Sequence, residues 1–488
     1  MALATAAPGL WARLDQRGRL VVICGMAAVV AYLGGGGATV GRALVGGFGL
    51  LVFVLIAFSG RDSALVLIVA WLALLGFVRR ALIPFVGWAG DDPLLLVAPA
   101  AAAVLWFAGR TEAPLRRSVL TVMTTLLILW AGAQMVNPSE PSLIVAARGY
   151  LFYFTPLMWF FVGRTLPAGV HNRVLDTVLV MNVVVAGHGL YQSFIGFLPF
   201  ELTWLHVSNQ GAAVFLPGFK VRPFSTLVSP QEYGIFLSFS AMIIASRLAH
   251  PLDAGRGWTR KRLAVALVVT LVALFFQGAR GALMLTLLGL AVVTIVRARS
   301  ALAFFGIATV VAGLAVWTGS QDVRQQEVEG VAGGAPTAAG AVVGHQLSGL
   351  TNPSSSSATL HVEQAIQGFE DALANPLGLG SSEATIAGAR AEGPGATPET
   401  DVGNTMLALG IPGGLALVTL IVAGFAAAGR AYRIAPCARH LAWLGILVVG
   451  LGQWLNGGLY AVSTILFLSL GGLARHRELV EPAVGAPR

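Results

Sequence analysis

The chain alternates between apolar stretches of membrane-spanning length and short polar segments rich in arginine. A transmembrane helix needs about 20 mainly apolar residues, and runs of this kind recur along most of the sequence. They predict about twelve to fourteen spans, which we place at 20–36, 43–60, 63–78, 93–109, 118–136, 142–163, 174–195, 230–247, 262–277, 281–297, 300–318, 402–427, 438–455 and 456–474. We therefore expect an all-α protein, a polytopic integral membrane helical bundle.

The composition agrees with that class, since 56% of the residues are hydrophobic and only 11% are charged. Cys24 and Cys437 are the two cysteines, which leaves neither a disulfide framework nor a cysteine metal site. The net charge of +9 could indicate nucleic acid, but the basic residues are spread over short loops between spans. Anionic lipid headgroups are therefore the expected partner, and nucleic acid is not.

The distribution of basic residues predicts the orientation of the chain in its membrane. With the N-terminal tail, residues 1–19, inside, 22 of the 31 basic residues fall on the cytoplasmic side. Arg42, Arg79 and Arg80 are among the eight that fall in outer loops. A bias of this size over short loops follows the positive-inside rule. We therefore expect both the 1–19 tail and the 475–488 tail to be cytoplasmic.

A long acidic loop divides the predicted bundle. The first part of the bundle covers 20–318, with an outer loop at 196–229, and the last part covers 402–474. Between them, the stretch from Gln321 to Asp401 carries ten of the 22 acidic residues and two of the 31 basic ones. We expect this loop, 319–401, to be extracytoplasmic. Apolar spacings of three and four over 360–369 predict a short helix within it that ends near Asn375-Pro376.

Several charged residues lie at the predicted outer ends of spans, where lipid makes them costly. Arg280 occupies a short turn between two apolar runs, and Lys220 and Arg222 precede the span that opens at Pro230. A planar guanidinium between glycines suits the capture of phosphate oxygens by Arg280. Arg148 and Lys220 could equally reach headgroup phosphates from span ends. Glu232 could simply cap a helix N-terminus, and His188 could be a buried hydrogen-bonding residue.

No motif of a nucleotide or metal site is present in the sequence. It contains no P-loop, no G-x-G-x-x-G that opens a helix after a strand, no HExxH and no paired aspartates of the D-x-D kind. We therefore expect no cofactor and no metal. The expected substrate is one that is already activated within the membrane.

Four motifs occur in order over about residues 180–430. They are Tyr191-Gln192, then Arg222-Pro223-Phe224-Ser225 with Ser229-Pro230-Gln231-Glu232-Tyr233-Gly234, then Gly278-Ala279-Arg280-Gly281-Ala282, and last Asn375-Pro376-Leu377-Gly378-Leu379-Gly380 followed by Glu399-Thr400-Asp401 and Leu407-Ala408-Leu409-Gly410-Ile411-Pro412-Gly413. With one large outer loop late in the chain, they resemble the O-antigen ligase and Wzy-type polysaccharide polymerase superfamily. The first 140 residues match only as generic spans.

The resemblance implies an enzyme of the bacterial cytoplasmic membrane that joins polyprenyl-diphosphate-linked oligosaccharides on its outer face. It also implies a glycan acceptor as second substrate, and a flippase or a chain-length regulator as protein partners. Members of the superfamily hold the diphosphate with two outer-face arginines, and Arg222 and Arg280 occupy the matching positions. Ligases carry a histidine just before the span that follows the loop, whereas this chain has Glu399-Thr400-Asp401 there. That difference favours a polymerase.

These considerations give a set of candidate site residues. The general base is expected among Glu399, Asp401 and His361, because a carboxylate or imidazole can take the proton of an acceptor hydroxyl. Arg222 and Arg280, with Arg148 and Lys220, would bind the diphosphate and stabilise it as it leaves without a metal. The candidates for substrate contacts are Gln192, Gln231, Glu232, Tyr233 and Gln277.

Three other functions remain alternatives at this stage. The first is ligase-like transfer of a lipid-linked glycan to a different acceptor. A transporter of lipid-linked glycans is the second, although transporters place charges near the membrane midplane and break helices in both halves. The third is a scaffold without catalytic activity, which would explain the acidic loop but not Arg280 in its turn.

Overall fold

The computed structural model describes residues 38–109, 118–208, 215–216, 220–251, 258–298, 366, 369–385 and 401–484, and every structural statement below concerns these residues. The chain folds into α-helices joined by short connections. The helices are α1 (Ala38–Ser59), α2 (Arg61–Ala81), α3 (Ile83–Val86), α4 (Val97–Gly109), α5 (Val119–Ala133), α6 (Leu143–Thr165), α7 (Ala168–Phe194), α8 (Pro199–Val207), α9 (Pro230–Ala249), α10 (Arg260–Gln277), α11 (Arg280–Ala298), α12 (Asp401–Ile434), α13 (Ala438–Val449) and α14 (Tyr460–Val484).

Two short 3-10 turns and one small strand pair complete the described structure. The turns are Pro93–Leu96, which leads into α4, and Gln134–Val136, which follows α5. Strands β1 (Phe215–Leu216) and β2 (Lys220–Val221) are antiparallel, with Phe215 opposite Val221. The predicted all-α bundle is confirmed.

Polar residues before the apolar runs set where several helices begin. The hydroxyl of Ser118 accepts the N–H of Thr121 at the start of α5, and Ser142 does the same for Val145 at the start of α6. At the start of α9, the Ser229 hydroxyl accepts the N–H of Glu232 over 3.1 Å. The residue after Ser229 is proline, whose missing N–H is no loss at the first position of a helix.

The helices run back and forth between two ends of the bundle. At one end α2 finishes and α9 begins, which we call the site end: there the Arg80 side chain donates to the carbonyl of Leu227. At the other end, the opposite end, α6 finishes and α7 begins. Arg61 and Arg475 both donate there to Thr165, the last residue of α6.

Helix α9 lies at the centre of the bundle. It packs against α7, α10, α11, α13 and α14. Within an apolar stretch of 18 residues of this helix, 83% of the residues are buried. Helices α6 and α14 pack along each other, and α12 packs against α5 and α13. A helix that is buried on all sides holds residues in its first turn rigidly, which matters because Glu232 and Tyr233 lie there.

Twelve of the fourteen predicted spans coincide with described helices, and the spans at 20–36 and 300–318 lie outside the described residues. Seven of the described helices are long and apolar enough to cross a membrane: α1, α2, α6, α7, α9, α12 and, with its 3-10 extension, α5. Shorter apolar helices occur at Pro93–Gly109, Gly281–Arg297 and Ala438–Val449.

Some predicted boundaries were wrong for local reasons. The spans at 438–455 and 456–474 were placed side by side, but α13 ends at Val449 and a turn-rich connection runs to Tyr460. Glycines interrupt the apolar run there, and Gly452 has a φ of 81°. The outer loop predicted at 196–229 contains α8, which starts at Pro199 and is capped when Glu201 accepts the N–H of Leu198.

Candidate functional site

Arg80 forms the buried centre of the site end. It lies in the last turn of α2, is 1% exposed, and donates from Nη1 to the carbonyl of Leu227 and from Nη2 to that of Ser225. Its guanidinium also lies over the rings of Trp204 and Phe224, at 5.3 and 4.4 Å from their centroids. One arginine thus ties α2 and α8 to the segment before α9.

Arg42, Arg79 and Arg80 were predicted to lie in outer loops, and all three instead lie within helices at this end. Arg42 is fully buried and pairs with Asp92, which also accepts from Arg79 over 2.8 Å. Each of these arginines has a carboxylate or carbonyls as close partners, which is what makes burial of a charge tolerable. An arginine at the end of an apolar run is assigned to the loop when hydropathy alone is used. Hydropathy takes no account of hydrogen-bond and ion-pair partners that other helices supply.

Glu201 balances Arg80 and joins three elements. Its carboxylate is fully buried, and Arg80 Nε lies 3.9 Å from Oε1. The same Oε1 lies 2.9 Å from His188 Nε2 and accepts the amide of Gln192 over 2.8 Å. Glu201 was not among the predicted site residues, because a lone glutamate in a predicted loop carries no sign of burial.

Gln192 is a predicted substrate contact, but both the nitrogen and the oxygen of its side-chain amide are hydrogen-bonded to protein groups. Its Nε2 donates to Glu201, and its Oε1 accepts the N–H groups of Phe224 at 3.0 Å and Ser225 at 2.7 Å. Ser225 has a φ of 52°, which is unusual for a residue other than glycine. The surroundings must therefore hold the backbone in this conformation. Arg222, three residues earlier, is partly buried and is positioned by this anchored segment.

Glu232 and Tyr233 lie in the first turn of α9 and are fully buried. The carboxylate of Glu232 accepts the N–H of Val228 over 3.1 Å and that of Ala461, at the start of α14, over 2.7 Å. It therefore joins the N-terminal ends of two helices, where a negative charge is stabilised. The Tyr233 ring packs so closely on Gly189 of α7 that no larger residue would fit there. Gln231, between Pro230 and Glu232, is exposed.

Gln277 joins the motif around Arg280 to the motif at the start of α9. Its Nε2 donates to the carbonyl of Pro230 over 2.8 Å, and its Oε1 accepts the N–H of Ala279 over 2.9 Å. Gly278 ends α10 in the left-handed conformation, with a φ of 84°, and α11 begins at Arg280. The short turn predicted around Arg280 is confirmed, while the side chain of Arg280 lies outside the described residues.

Asp401 begins α12 and is 5% exposed. Its Oδ2 accepts the N–H of Leu455 over 3.2 Å, and its own N–H donates to the carbonyl of Gly452 over 3.3 Å. Asp401 thus contacts the connection between α13 and α14, and Glu232 contacts the first residues of α14. The two predicted site carboxylates are therefore held against the same stretch of chain, 452–461.

The fourth motif forms a pairing that involves a broken helix. Helix α12 is interrupted at Gly410, which has a φ of 67°. Leu379 and Gly380 donate their N–H groups to the carbonyls of Leu407 and Ala408, and Trp130 Nε1 donates to that of Leu409. The carbonyls that the break removes from the helical pattern thus find partners within the protein, as lipid surroundings require.

Glu140 and Asn137 hold the same segment from the other side. Glu140 accepts the N–H of Ser382 over 2.9 Å and the hydroxyl of Ser381 over 3.1 Å. The Asn137 amide donates to the carbonyl of Gly378 over 3.0 Å. Residues 369–374 are helical and the helix stops before Asn375-Pro376, as predicted, while 360–365 and 367–368 of the predicted helix lie outside the described residues.

The remaining predicted site residues lie away from the contacts described above or outside the described part of the chain. Arg148 is half-exposed and pairs with Asp91, at 3.0 Å from its Oδ2. Glu399, His361 and the side chain of Lys220 lie outside the described residues. Within the described ranges, no group of three or more His, Cys, Asp and Glu side chains is placed to hold a metal ion.

The chain matches no protein-family model, and a comparison with curated proteins finds no significant similarity.

Proposed function

We propose that the chain is a membrane glycosyltransferase that polymerises polyprenyl-diphosphate-linked oligosaccharide units on the outer face of a bacterial cytoplasmic membrane. The proposal places it in the O-antigen ligase and Wzy-type polymerase superfamily. The observation that carries it is the meeting of motifs that lie far apart in the sequence. Gln192 contacts Ser225, and Gln277 contacts Pro230, so three of the four motifs share the site end.

The arginines of two of these motifs are the proposed diphosphate ligands. Arg222 follows β2 on the segment that Gln192 and Arg80 anchor, and Arg280 opens α11 beside the Gln277 contact. Guanidinium groups carried by backbone that is anchored in this way would stabilise the negative charge that develops on the leaving diphosphate. Arg148 is a weaker candidate for this role, because Asp91 already pairs with it.

In the proposed reaction, the hydroxyl oxygen of the acceptor sugar bonds to the anomeric carbon of the donor. The bond from that carbon to the diphosphate oxygen breaks, and polyprenyl diphosphate leaves with the electron pair. The hydroxyl proton passes to a carboxylate, for which Asp401 and Glu399 are the candidates. Asp401 is favoured among the described residues because it is nearly buried at the start of α12.

The buried partners of the site suggest supporting roles for three residues that the sequence placed in contact with substrate. The polar groups of Gln192, Glu232 and Gln277 are hydrogen-bonded to groups of the protein itself. We therefore assign them the positioning of the arginine-bearing segments. Exposed Gln231 remains the candidate for direct contact with a sugar.

The test compares cells that lack the gene and are complemented with wild type, Arg222→Ala or Arg280→Ala at matched membrane levels. The control is Arg173→Ala, which removes an exposed arginine paired with Asp62 near the opposite end. We expect the two site variants to lose polymer and to accumulate single lipid-linked units on the outer face, while the control keeps wild-type polymer. Accumulation on the cytoplasmic face would indicate transport instead. Normal polymer in both site variants would exclude the diphosphate role of these arginines.

A further inference from the structure

A cavity of about 240 Å³ lies at the opposite end of the bundle, away from the candidate residues at the site end. It is bounded by the start of α7, the end of α9 and the start of α13. Its polar wall consists of Asn172, Arg247, Cys437 and Arg439, and its apolar wall includes Leu175 and Ile243. Among the described residues that line it there are two arginines and no carboxylate.

Both guanidinium groups are held in place at the cavity. Arg247 is 4% exposed and donates to Asp176 of α7, which lies beside the cavity and is itself half-exposed. Arg439 donates from Nη1 to the carbonyl of Ala168 over 3.0 Å and to Asn172 over 3.3 Å. Asp176 balances one of the two positive charges. Within the described part of the chain, the hydrogen-bond partners of Arg439 are neutral groups, so its positive charge is in excess along this wall.

Two further features favour an anion in this place. The Nε of Arg439 is buried and has no hydrogen-bond partner among the described residues. Helix α13 begins at the cavity, and the side chain of its N-cap residue, Cys437, makes no capping hydrogen bond. The N-terminus of a twelve-residue helix thus lies at the same wall as the two arginines, and its dipole favours a negative group there.

We propose that this cavity binds the phosphate group of an anionic membrane lipid. Arginine side chains beside a helix N-terminus suit a phosphate diester, and the apolar wall of Leu175 and Ile243 suits the glycerol and the first acyl carbons. Basic pockets between transmembrane helices at the cytoplasmic surface are suited to such headgroups, and the predicted orientation puts this end in the cytoplasm. Inorganic phosphate shares the chemistry but would make no use of the apolar wall. The proposal does not depend on the glycosyltransferase function.

Cys437 allows a test that needs no activity assay. Because the chain has only two cysteines, Cys24→Ser leaves Cys437 as the sole thiol, and this residue is partly exposed in the cavity wall. In phosphatidylcholine vesicles, a sulfonate-bearing methanethiosulfonate should label it faster than a trimethylammonium-bearing one. Arg439→Gln should lower that ratio by roughly threefold to tenfold, since one unit charge a few ångströms away is lost. Arg433→Gln, an exposed arginine on α12, is the matched control and should leave the ratio nearly unchanged.

The lipid is tested by the same labelling in vesicles that also contain phosphatidylglycerol. We expect phosphatidylglycerol to slow labelling of Cys437 severalfold, and Arg439→Gln to abolish the protection. Protection by inorganic phosphate in phosphatidylcholine vesicles, without protection by phosphatidylglycerol, would assign the site to a soluble anion and overturn the lipid proposal. Equal labelling under all conditions, or equal effects of Arg433→Gln and Arg439→Gln, would show that the cavity binds no phosphate.

Discussion

The backbone N–H of Ser225 donates to the side-chain oxygen of Gln192 over 2.7 Å, and this bond joins the end of α7 to the segment that leads into α9. Ser225 has a positive φ, and its hydroxyl donates to the carbonyl of Val185 over 2.6 Å. The carbonyl of Ser225 accepts from Arg80. Every polar group of Ser225 is therefore bonded, which explains how an uncommon backbone conformation is maintained three residues after Arg222.

Gln192→Leu should destabilise the protein, because the N–H groups of Phe224 and Ser225 would lose their acceptor. We expect the free energy of unfolding to fall by roughly 1–3 kcal/mol for each N–H left without a partner in the interior. The measurement is the thermal midpoint of the purified protein in detergent. Gln231→Leu, on the exposed side of α9, is the control and should leave the midpoint within the error. An unchanged midpoint for Gln192→Leu would mean that water replaces the amide.

Arg80→Met should be among the most damaging single changes at this end. It would leave the carboxylate of Glu201 buried without its cation and two carbonyls without donors, and breaking a buried pair in this way costs about 3–5 kcal/mol. Adding Glu201→Gln removes the unpaired charge, and the single amide oxygen keeps an acceptor for the N–H of Leu198. The double variant should therefore be more stable than Arg80→Met alone, as measured by the thermal midpoint. If the two changes are simply additive, Arg80 and Glu201 do not compensate each other.

Hydropathy was enough to predict the bundle, but it could not predict the partners of its charges. The helices follow from long apolar runs and capping residues such as Ser118, Ser142 and Ser229, which are local signals. The burial of Arg80 depends on α8 and on the 221–229 segment, neither of which is near Arg80 in sequence. The same holds for Glu201, whose role is visible only once α7 and α8 are side by side.

The parts of the candidate site that lie within a short sequence motif could be predicted from the sequence. The contacts between distant parts of the chain could not. The turn at Gly278 could be foreseen because glycine and a two-residue junction are local features. The interruption of α12 could have been suspected from Gly410 and Pro412, yet the apolar run through 402–427 reads as one span. The pairing of residues 376–380 with 407–411 joins parts of the chain about 30 residues apart, and no sequence periodicity reports such a contact.

Gly378→Ala should disrupt the pairing between the broken helix and residues 376–380. Gly378 has a φ of 88°, and an added Cβ would lie 2.5 Å from the carbonyl oxygen of Ala408. Both the backbone conformation and the space exclude a side chain, so we expect a loss of several degrees or more in the thermal midpoint. Gly429→Ala, in α12 with open space around it, is the control and should be neutral or stabilising. A tolerated Gly378→Ala would show that the segment can move away from α12.

Asp401→Asn distinguishes a catalytic carboxylate from a structural one. An asparagine can still accept the N–H of Leu455 through its side-chain oxygen, so the contact with the α13–α14 connection should survive, with a thermal midpoint near that of wild type. An amide cannot take a proton from an acceptor hydroxyl, so transfer should fall by about 10²–10⁴-fold if Asp401 is the base. The measurement is polymer formation at matched membrane levels, beside the thermal midpoint of the purified variant.

Asp401→Ala and Glu399→Gln separate the structural role of Asp401 from a catalytic one. Asp401→Ala removes the acceptor of Leu455 as well, and should lower both stability and transfer. Glu399→Gln tests the other candidate base in the same assay. If Asp401→Asn keeps wild-type transfer while Asp401→Ala is unstable, the carboxylate serves only to hold the α13–α14 connection, and the general base must be sought at Glu399. If Asp401→Asn is stable and inactive while Glu399→Gln is active, the base is the nearly buried carboxylate at the start of α12.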